Sequence, residues 1–468
     1  MTLPITELTG TPKPITDSLV EAIYQAMAAS GLEIDRSEIR LERSSRIEHG
    51  EFSTNIAMVV AKKVGKPPRQ LASELADRLE AGSVPHVLKV EVAGPGFINF
   101  DLQPSWLAES LARLIELGER SYARVDLGAG ERVQIEFVSA NPTGPLHVGN
   151  GWLCSYGDTL ARLMEFCGWQ VSREYYVNDT GGQIRKLGMS LLARVAGEEV
   201  PEEGYQGDYV KQLAKRYPDL ANSDVLAAGR WAANEILANI KASMNRLGIE
   251  FDEWYSQASV EEGGAVKETI DFLSARGLVY ESEGATWLRS SDLGDSRDRV
   301  LIKSNGDVTY LGGDIAYHRN KFLIRGFDRV VDVFGADHHG QVASLKAAIR
   351  ALGVEEDRLE IQLGQMVSLA DGKMSKRAGN FVSLDELLDD IGPDAFRLLS
   401  LTKSINESTT LDLELVRRQT NENPVYYVQY AYARIASIDR VRADKGIDRQ
   451  PIDRVDLKLL SHERELAL

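Results

Sequence analysis

Two short segments rich in glycine and basic or amide side chains have the composition of phosphate-binding sites. The first, His147-Val148-Gly149-Asn150-Gly151, follows a predicted strand and begins a predicted helix. Free N–H groups and the helix dipole favour phosphate at such a helix start, and glycine lets a nucleotide lie close to the main chain. His147 and Asn150 can donate hydrogen bonds to phosphate oxygens. An ordinary turn between a strand and a helix, with a surface histidine, explains the same residues equally well.

The second segment is Asp371-Gly372-Lys373-Met374-Ser375-Lys376-Arg377. Two ammonium groups, on Lys373 and Lys376, can close over a triphosphate and stabilise charge as pyrophosphate leaves. A solvated basic loop is the alternative for this segment alone. The presence of both segments, in this order, favours the phosphate function, and the pair resembles the signature motifs of class I aminoacyl-tRNA synthetases.

The first segment lies in a pattern of alternating strands and helices. Apolar residues at 133–138 and 171–177 predict strands, and an apolar face running from Leu153 through Leu163 to Cys167 predicts the helix between them. This order is typical of the opening of a nucleotide-binding parallel sheet. The second half of the sheet is predicted to resume at 300–302 and to continue at 329–334. The predicted fold class is therefore α/β, with a Rossmann-type catalytic domain.

Three domains are predicted. Residues 1–118 form an N-terminal α+β domain, and 119–400 form the catalytic domain, with a polar, helix-rich insertion at about 186–299. Residues 401–468 begin an all-α domain. The sequence ends in an apolar helical phrase without a stop signal, so we expect this domain to be incomplete and its tyrosines to be only partly covered.

The composition indicates a globular protein and excludes several classes. The chain has 468 residues, 43% hydrophobic and 26% charged, and a net charge of −16, which argues against a protein coated in nucleic acid. A limited basic track for RNA remains compatible with that charge, although composition alone favours an enzyme of small molecules. No apolar run is long enough for a membrane span and no secretory signal is visible. The cysteines, Cys154 and Cys167, indicate core thiols in a reducing cytoplasm.

Longer phrases resemble the arginyl-tRNA synthetases of bacterial type over essentially the whole chain. The matching phrases are 136–147, 175–179 with Gly181 and Gln183, 310–317, 335–340 and 423–431. An extra N-terminal domain, such as that predicted at 1–118, marks this family within class I. The resemblance implies ATP-dependent ligation of arginine to tRNA(Arg) through an arginyl-adenylate. It also implies ATP with Mg²⁺ as the substrate complex, no permanent cofactor, and a cytoplasmic monomer without membrane contact.

The family's arginine pocket carries over to individual residues. Asn141 matches the asparagine that contacts the substrate's α-amino group, and Tyr310 and Asp314 match the residues that hold the guanidinium. A carboxylate can bind a planar guanidinium in a two-pronged geometry, which lysine cannot fill. Without the resemblance, Asp314 would be interpreted as an ion-pair partner or a helix cap. Weaker candidates for the same pocket are Glu136, Ser139 and Gln183.

ATP binding is implied for residues from both signature motifs and from the second half of the sheet. Asp337 and His338 follow the strand at 329–334, near the expected switch point of the sheet. His338 and His339 could instead ligate a metal, but a third ligand at suitable spacing is missing, so zinc is not expected. The implied ATP-binding set is His147, Gly149, Asn150, Gly151, Asp337, His338, Met366, Lys373 and Lys376; the catalytic set is His147, Asn150, Lys373 and Lys376.

The resemblance also implies a tRNA contact in the N-terminal domain. Phe97 and Asn99 follow the turn Gly94-Pro95-Gly96, and a ring and an amide there could meet an unpaired base at the tRNA elbow. A core position for Phe97 is the alternative.

Three features depart from the family pattern, and two other functions fit part of it. Asn150 stands where the commonest class I form has histidine, and Gly182 stands where many relatives have a larger polar residue. The second motif is complete where many relatives have a degenerate one, which leaves open whether arginine activation requires tRNA. The rival functions are a nucleotidyltransferase of this fold that does not use tRNA, and a non-catalytic RNA-binding paralogue. The helical tail and the insertion argue against the first, and the intact pocket with both lysines argues against the second.

Overall fold

The computed structural model describes residues 13–44, 49–103, 105–118, 121, 124–218, 224–370, 382–451 and 454–456. Lys373 and Lys376 lie outside the described residues. The chain divides into two compact units, the first comprising Met1–Ala129, Phe166–Gly168 and Val441–Leu468, the second Gly130–Glu165 and Trp169–Arg440. The predicted domain boundaries at 118 and 400 stay predictions, and residues 401–440 belong to the second unit.

An antiparallel sheet with helices on one side makes up the described core of the first unit. Its strands follow the order β1-β2-β4-β3. Ile98, Phe100 and Leu102 alternate along the last strand and pack with apolar helix residues such as Leu19 and Leu75. The elements are α1 (Lys13–Ala29), β1 (Glu42–Arg43), β2 (Phe52–Thr54), α2 (Ile56–Val64), α3 (Pro68–Ala81), β3 (Val87–Ala93), β4 (Phe97–Leu102) and α4 (Ser105–Leu117).

The second unit is built on the predicted parallel sheet. Its first half contains β5 (Arg132–Phe137), α5 (Val148–Phe166), β6 (Gln170–Val177), α6 (Gly181–Ala196), α7 (Asp208–Arg216), α8 (Val225–Arg246), β7 (Glu253–Ser256), α9 (Gln257–Glu262) and α10 (Ala265–Ser274). The next part contains β8 (Val279–Ser282), β9 (Ala285–Leu288), β10 (Arg299–Ile302), α11 (Tyr310–Arg319), β11 (Arg329–Gly335), α12 (Val342–Ala351) and β12 (Leu359–Gly364). Five of these strands form one parallel sheet in the order β12-β11-β5-β6-β7. The α/β fold class is thus confirmed.

The last part of the second unit is mostly helical. It contains β13 (Val367–Leu369), α13 (Leu384–Ile391), α14 (Pro393–Ser400), β14 (Thr409–Leu411), α15 (Leu413–Arg417) and, up to Arg440, α16 (Pro424–Asp444). On α16, Tyr427, Tyr430 and Tyr432 are 59%, 50% and 77% exposed. None of the helices within the described ranges is both long and apolar enough to cross a membrane.

Two assignments to the parallel sheet were wrong. Residues 300–302 were expected to resume it, but β10 pairs antiparallel with β9 in a separate three-stranded sheet. The insertion predicted at 186–299 was expected to lie between the halves of the sheet, but it contains β7, which is the edge strand paired with β6. Both errors have one cause: a four-residue strand carries too little pattern to show which partner it joins.

The buried face of α5 also differs from its predicted face. Leu163 was placed on the apolar side but is 57% exposed, whereas Gly157 and Ala161 are buried. A β-carbon on Gly157 would overlap the ring of Phe137 on β5. Small residues therefore set the side on which this helix approaches the sheet, and a search for large apolar residues misses that side.

Paired glycines let α6 and α8 cross closely. A β-carbon on Gly188 would overlap the carbonyl oxygen of Val225, and one on Gly229 would overlap that of Ile184. Backbone carbonyls cannot move aside as a flexible side chain can. The crossing therefore depends on the absence of a side chain at both positions.

We expect Gly188→Ala to lower the free energy of unfolding by about 1–3 kcal/mol, because the helices must separate to admit the methyl group. Gly182→Ala, on the same helix, is the matched control, since its β-carbon would meet nothing within 4 Å. That variant should be neutral or more stable by up to about 1 kcal/mol, because alanine favours a helix. Urea unfolding of the three proteins measures the difference, and equal stability of the two variants would contradict this account of the crossing.

Candidate active site

The order of the parallel strands creates a crevice between β5 and β11. The chain runs outward from β5 through β6 to β7, and then returns to the other side of β5 to form β11 and β12. Ligands of open parallel sheets bind at such a reversal, outside the carboxyl ends of the strands. The predicted residues follow these ends: Ser139, Asn141 and His147 come after β5, Gln183 after β6, Asp337 and His338 after β11, and Met366 after β12.

His147 and Asn150 form a reciprocal cap at the start of α5. The Nδ1 atom of His147 accepts from the N–H groups of Gly149 (3.1 Å) and Asn150 (3.4 Å). In return, the Oδ1 atom of Asn150 accepts from the backbone N–H of His147 at 3.1 Å. This is the arrangement of a capping box, made with unusual residues. Because Nδ1 is an acceptor here, the neutral imidazole carries its proton on Nε2.

The two glycines of the first motif have different surroundings. A β-carbon on Gly149 would lie 3.1 Å from the His147 ring, so glycine there leaves room for the capping imidazole. A β-carbon on Gly151 would lie 2.5 Å from Leu384 and 2.9 Å from Phe396. The expectation that Gly151 lets a nucleotide approach is therefore corrected. Gly151 is buried, and it lets α5 pack against α13 and α14.

The described chain after the second motif joins the first motif directly. Ser383 forms an isolated antiparallel bridge with His147. The backbone N–H of Leu384 donates to the carbonyl of Leu146 at 2.8 Å. The start of α13 is thereby fixed beside the start of α5.

The loop between β5 and α5 is held in a strained conformation. Val138 and Ser139 have φ angles of +69° and +37°, which are costly for residues with a β-carbon, and especially for β-branched valine. The hydroxyl of Tyr175 donates to the carbonyl of Ala140 at 2.8 Å, and that of Tyr209 donates to the carbonyl of Thr143 at 2.6 Å. These two anchors stabilise the loop that carries Asn141, whose side chain is exposed.

A cavity of about 190 Å³ contains the two residues predicted to hold a guanidinium. Tyr310 is 56% exposed and Asp314 is half-buried. The His338 ring lies 6.2 Å from the Tyr310 ring and 5.0 Å from that of Phe334. Its Nδ1 atom is buried and has no hydrogen-bond partner within the described part of the chain. The residues lining the cavity are Arg299, Val300, Thr309, Tyr310, Leu311, Asp314, Gly340, Gln341, Ser344 and Leu345.

Beneath this pocket, three neighbouring strands place acidic side chains in one row. Asp332 on β11 is in register with Glu136 on β5, which is in register with Glu174 on β6. Residues in register on parallel strands point to the same face. All three are buried, with exposures of 0%, 4% and 0%. Three buried carboxyl groups need cationic partners, because an unpaired charge in the interior is very costly.

The partners all come from α11 and the chain that continues it. The Nζ atom of Lys321 lies 2.8 Å from Glu136 and 2.8 Å from Asp332. The Nη2 atom of Arg325 lies 2.9 Å from Glu174, which also accepts from the hydroxyl of Tyr317. A π-helical turn at Asn320–Ile324 follows α11 and contains Lys321. Such turns often occur at functional sites, since they change the direction of side chains.

His318 is a further partner in this cluster, which we call the ionic row: Glu136, Glu174 and Asp332 with Lys321, Arg325 and His318. The Nε2 atom of His318 lies 2.8 Å from Asp332, and its Nδ1 atom lies 2.8 Å from the carbonyl oxygen of Asp314. Burial alone would raise the pKa of Asp332, but Lys321 and His318 lower it to about 2. Burial alone would lower the pKa of Lys321, but the carboxylates of Asp332, Glu136 and Glu174 raise it. Both groups are therefore charged at neutral pH.

Asp314 differs from these carboxyl groups. No ion pair or side-chain hydrogen bond joins it to any residue in the described ranges. Its burial, together with the nearby charges of Glu136 and Asp332, raises its pKa well above the usual carboxyl value. The pocket thus contains one acidic group that has no direct cationic partner among the described residues.

Several predicted pocket residues have other partners or more open positions. One oxygen of Glu136 binds Lys321, and the other accepts from the Ser139 hydroxyl at 2.8 Å. The expectation that Glu136 faces the substrate is corrected, because both of its oxygens have internal partners. The Ser139 hydroxyl also accepts from the backbone of Tyr176 at 3.0 Å, and so it links β5 to β6. The remaining candidates are on the surface: Gln183 and Asp337 are exposed, and Met366 is 76% exposed.

The residues predicted to contact tRNA lie on β4 in the first unit. Phe97 and Asn99 share the face opposite Ile98 and Phe100, which belong to the core. Phe97 is half-buried, but Asn99 is only 7% exposed. The ring is therefore better placed than the amide to meet a partner, and their contact with tRNA stays a prediction.

Comparison with known proteins gives the family. Residues 15–102 match the arginyl-tRNA synthetase N-terminal domain, and residues 115–228 and 220–434 match the class I (R) tRNA synthetase catalytic domain. The arginine–tRNA ligase of Carboxydothermus hydrogenoformans is 42% identical and covers 97% of this chain and 84% of its own length. The chain belongs to the arginyl-tRNA synthetases. That of Desulfosudis oleivorans is 45% identical over 92% of this chain and 81% of its own.

A solved structure supports the same fold. The arginyl-tRNA synthetase of Thermus thermophilus aligns with a TM-score of 0.71 at 22% identity, over 94% of this chain and 84% of that one. The reaction of this synthetase is the class I ligation of arginine to tRNA, with ATP as a substrate. The nucleotidyltransferase and the non-catalytic paralogue are therefore not supported.

Sequence reasoning missed the ionic row of this synthetase. The predicted site did not include the basic residues His318, Lys321 and Arg325. It also lacked the acidic residues Asp332 and Glu174. A signal was present, since Asp332 interrupts the apolar run of β11. A charged residue inside a buried parallel strand requires an opposite charge nearby.

We expect Asp332→Asn to lower the free energy of unfolding by about 3–5 kcal/mol, because it leaves Lys321 buried with less compensation. The pKa of Asp332 is about 2 in the folded chain, against 3.8 as its ordinary value. Its stabilising effect is therefore complete above about pH 4 and is lost as pH falls toward 2. Glu253→Gln, at the exposed edge of the same register row, is the control and should change stability by less than about 0.5 kcal/mol. Guanidinium unfolding at several pH values measures both, and equal effects would contradict the role of Asp332.

Proposed function

We propose that arginine activation takes place in the crevice between β5 and β11. The arginine carboxylate attacks the α-phosphorus of ATP, and the bond from that phosphorus to the bridging oxygen of pyrophosphate breaks. A terminal ribose hydroxyl of tRNA(Arg) then attacks the arginyl carbonyl, AMP leaves, and the hydroxyl proton passes to solvent. The observation that carries the proposal is the position of Asp314, a carboxyl group without an ion-pair partner among the described residues. It lies beside the carboxyl ends of strands that also carry the helix start proposed to bind phosphate.

The first motif supplies hydrogen bonds to the phosphates. His147 donates from Nε2, since its Nδ1 atom caps the helix, and Asn150 donates from its amide nitrogen, since its oxygen caps His147. The cap therefore fixes the direction of both donors before ATP arrives. Positioning and charge stabilisation of this kind act without a covalent enzyme nucleophile.

The second motif supplies positive charge in this proposal. Lys373 and Lys376 stabilise the charge that develops as pyrophosphate leaves, a role that rests on the sequence motif. Asp337, His338 and Met366 complete the ATP site from β11 and β12. Magnesium enters with ATP as part of the substrate and is held mainly by the phosphates, which suits its preference for oxygen ligands.

The arginine side chain occupies the cavity between α11 and α12. Asp314 pairs with the guanidinium in two-pronged geometry, the Tyr310 ring lies against it, and Asn141 binds the α-amino group. Gln183, at the start of α6, is a further proposed arginine contact. Glu136 and Ser139 support the pocket from below through Lys321 and Tyr176 rather than by touching the substrate. We further propose that the enzyme acts as a cytoplasmic monomer without membrane contact.

Asp314→Asn and Lys376→Ala should impair the enzyme in different ways. Asp314→Asn removes a charge that binds arginine in the ground state, so the KM for arginine should rise at least about 100-fold and the KM for ATP should hardly change.

Lys376→Ala removes a charge used in the transition state, so kcat should fall about 100-fold with arginine binding retained. Arginine-dependent pyrophosphate exchange, with and without tRNA, measures both. An unchanged KM for arginine in the first variant would disprove the pocket.

Phe97→Ala should raise the KM for tRNA about tenfold and leave those for ATP and arginine unchanged, because loss of one stacking contact costs about 1–3 kcal/mol. The control is Leu88→Ala on the neighbouring strand, since Leu88 is 68% exposed and apolar too. Aminoacylation kinetics with varied tRNA would show the difference. The proposed contact is wrong if both variants keep the original tRNA constant.

A further inference from the structure

Three of the four carboxyl groups in and under the proposed arginine pocket have a basic partner in the described structure. Glu174 has Arg325, and Glu136 has Lys321. Asp332 has Lys321 and His318. Asp314, on the same helix as His318, has no such partner within the described ranges.

The hydrogen bonds of His318 define its charge. Its Nδ1 atom faces the carbonyl oxygen of Asp314, which can only accept. Its Nε2 atom faces Asp332, which is ionised and also can only accept. Both ring nitrogens therefore face acceptors, an arrangement that favours the doubly protonated, cationic ring. With Lys321, this gives two cations opposite the two carboxylates of Glu136 and Asp332.

We propose that Lys321 and His318 are positioning residues that neutralise Glu136 and Asp332 within the protein, so that Asp314 alone is left for the substrate and the guanidinium enters in exchange for its proton. This inference rests on the proposed arginine pocket and adds how its charge is set. At a pH below its raised pKa, Asp314 is a neutral acid in a balanced cluster before arginine binds. After binding, the carboxylate and the guanidinium add one charge of each sign, and the proton passes to the buffer.

The other ionisable groups around Asp314 do not supply this exchange. Arg299 lines the same cavity but is held by Asp295 at 2.8 and 2.9 Å. The pKa values of Tyr310 and Tyr176 both lie above the usual tyrosine value, so both phenols stay neutral at physiological pH. Tyr317 is likewise neutral and donates to Glu174. The proton that leaves on binding is therefore that of Asp314.

The exchange of a proton for the guanidinium makes arginine affinity depend on pH. Arginine binds the ionised form of Asp314, so arginine affinity should rise with pH up to the raised pKa of Asp314 and level off above it. Below that pKa the KM for arginine should increase about tenfold per pH unit. Lys321 lowers the pKa of Asp314, so its removal should move the point of levelling to higher pH.

The test combines calorimetry with pH profiles of the full chain. Arginine is titrated into the wild type in two buffers that differ in ionisation enthalpy, from about pH 5 to 9, which counts the protons released. Citrulline, which has the shape of arginine but no charge, is the control ligand and should release none. The KM profiles for arginine and ATP are then measured for Lys321→Met and for the double variant Glu136→Gln/Lys321→Met.

We expect release of up to one proton with arginine in the wild type. Lys321→Met should shift the arginine profile to higher pH, and the double variant, which removes one charge of each sign, should return it toward the wild type. The ATP profile should not move. Because the wild-type measurement and the balanced double variant do not depend on the single variant folding, the inference can be tested even if Lys321→Met fails to fold.

Two results would overturn the inference and can be told apart from failure of the pocket itself. Absence of proton release in the wild type, with arginine affinity independent of pH, would show that Asp314 is already ionised. A KM for arginine raised equally at every pH in the folded Lys321→Met variant would show that Lys321 is merely structural. In both cases Asp314→Asn would still weaken arginine binding, whereas an unchanged constant in that variant would reject the pocket as a whole.

Discussion

The buried ammonium of Lys321 is the contact on which the arrangement around the pocket depends. It joins Glu136 on β5 to Asp332 on the adjacent strand β11, at the point where the strand order reverses. The two strands pair directly, so the sheet itself sets their spacing. The cation instead ties both strands to the π-helical turn that follows the helix holding Tyr310 and Asp314. In the proposed function, arginine recognition therefore depends on a buried contact that does not touch the substrate.

Two residues at the start of α5 each have two roles. His147 and Asn150 serve as a helix cap and as proposed phosphate donors, with one side of each group used for each task. The strained backbone at Val138 and Ser139, with its anchors on Tyr175 and Tyr209, brings the chain from β5 into that cap. The local fold therefore tolerates backbone strain that orients the proposed phosphate donors before ATP binds.

Much of the second unit could be predicted from the sequence because its signals are local. The strands at 133–138 and 171–177 are rich in β-branched and aromatic residues, and the helix between them follows a glycine-rich turn; the structure confirms all three. The partner of β7, the packing role of Gly151 and the charge partners of Glu136 could not be predicted in this way. Each depends on a residue distant along the chain, and no pattern in the neighbouring sequence encodes such a contact.

The close crossing of α6 and α8 bears on the order in which the molecule folds. The edge strand β7 must pair with β6 across a long intervening segment, and closing a long loop costs chain entropy. When the two helices cross at Gly188 and Gly229, most of that segment is already folded back on itself, so the ends of the loop are brought near each other. The helical hairpin would then act as the nucleus onto which the sheet's edge is added, and the glycines would govern the rate of folding as well as its end state.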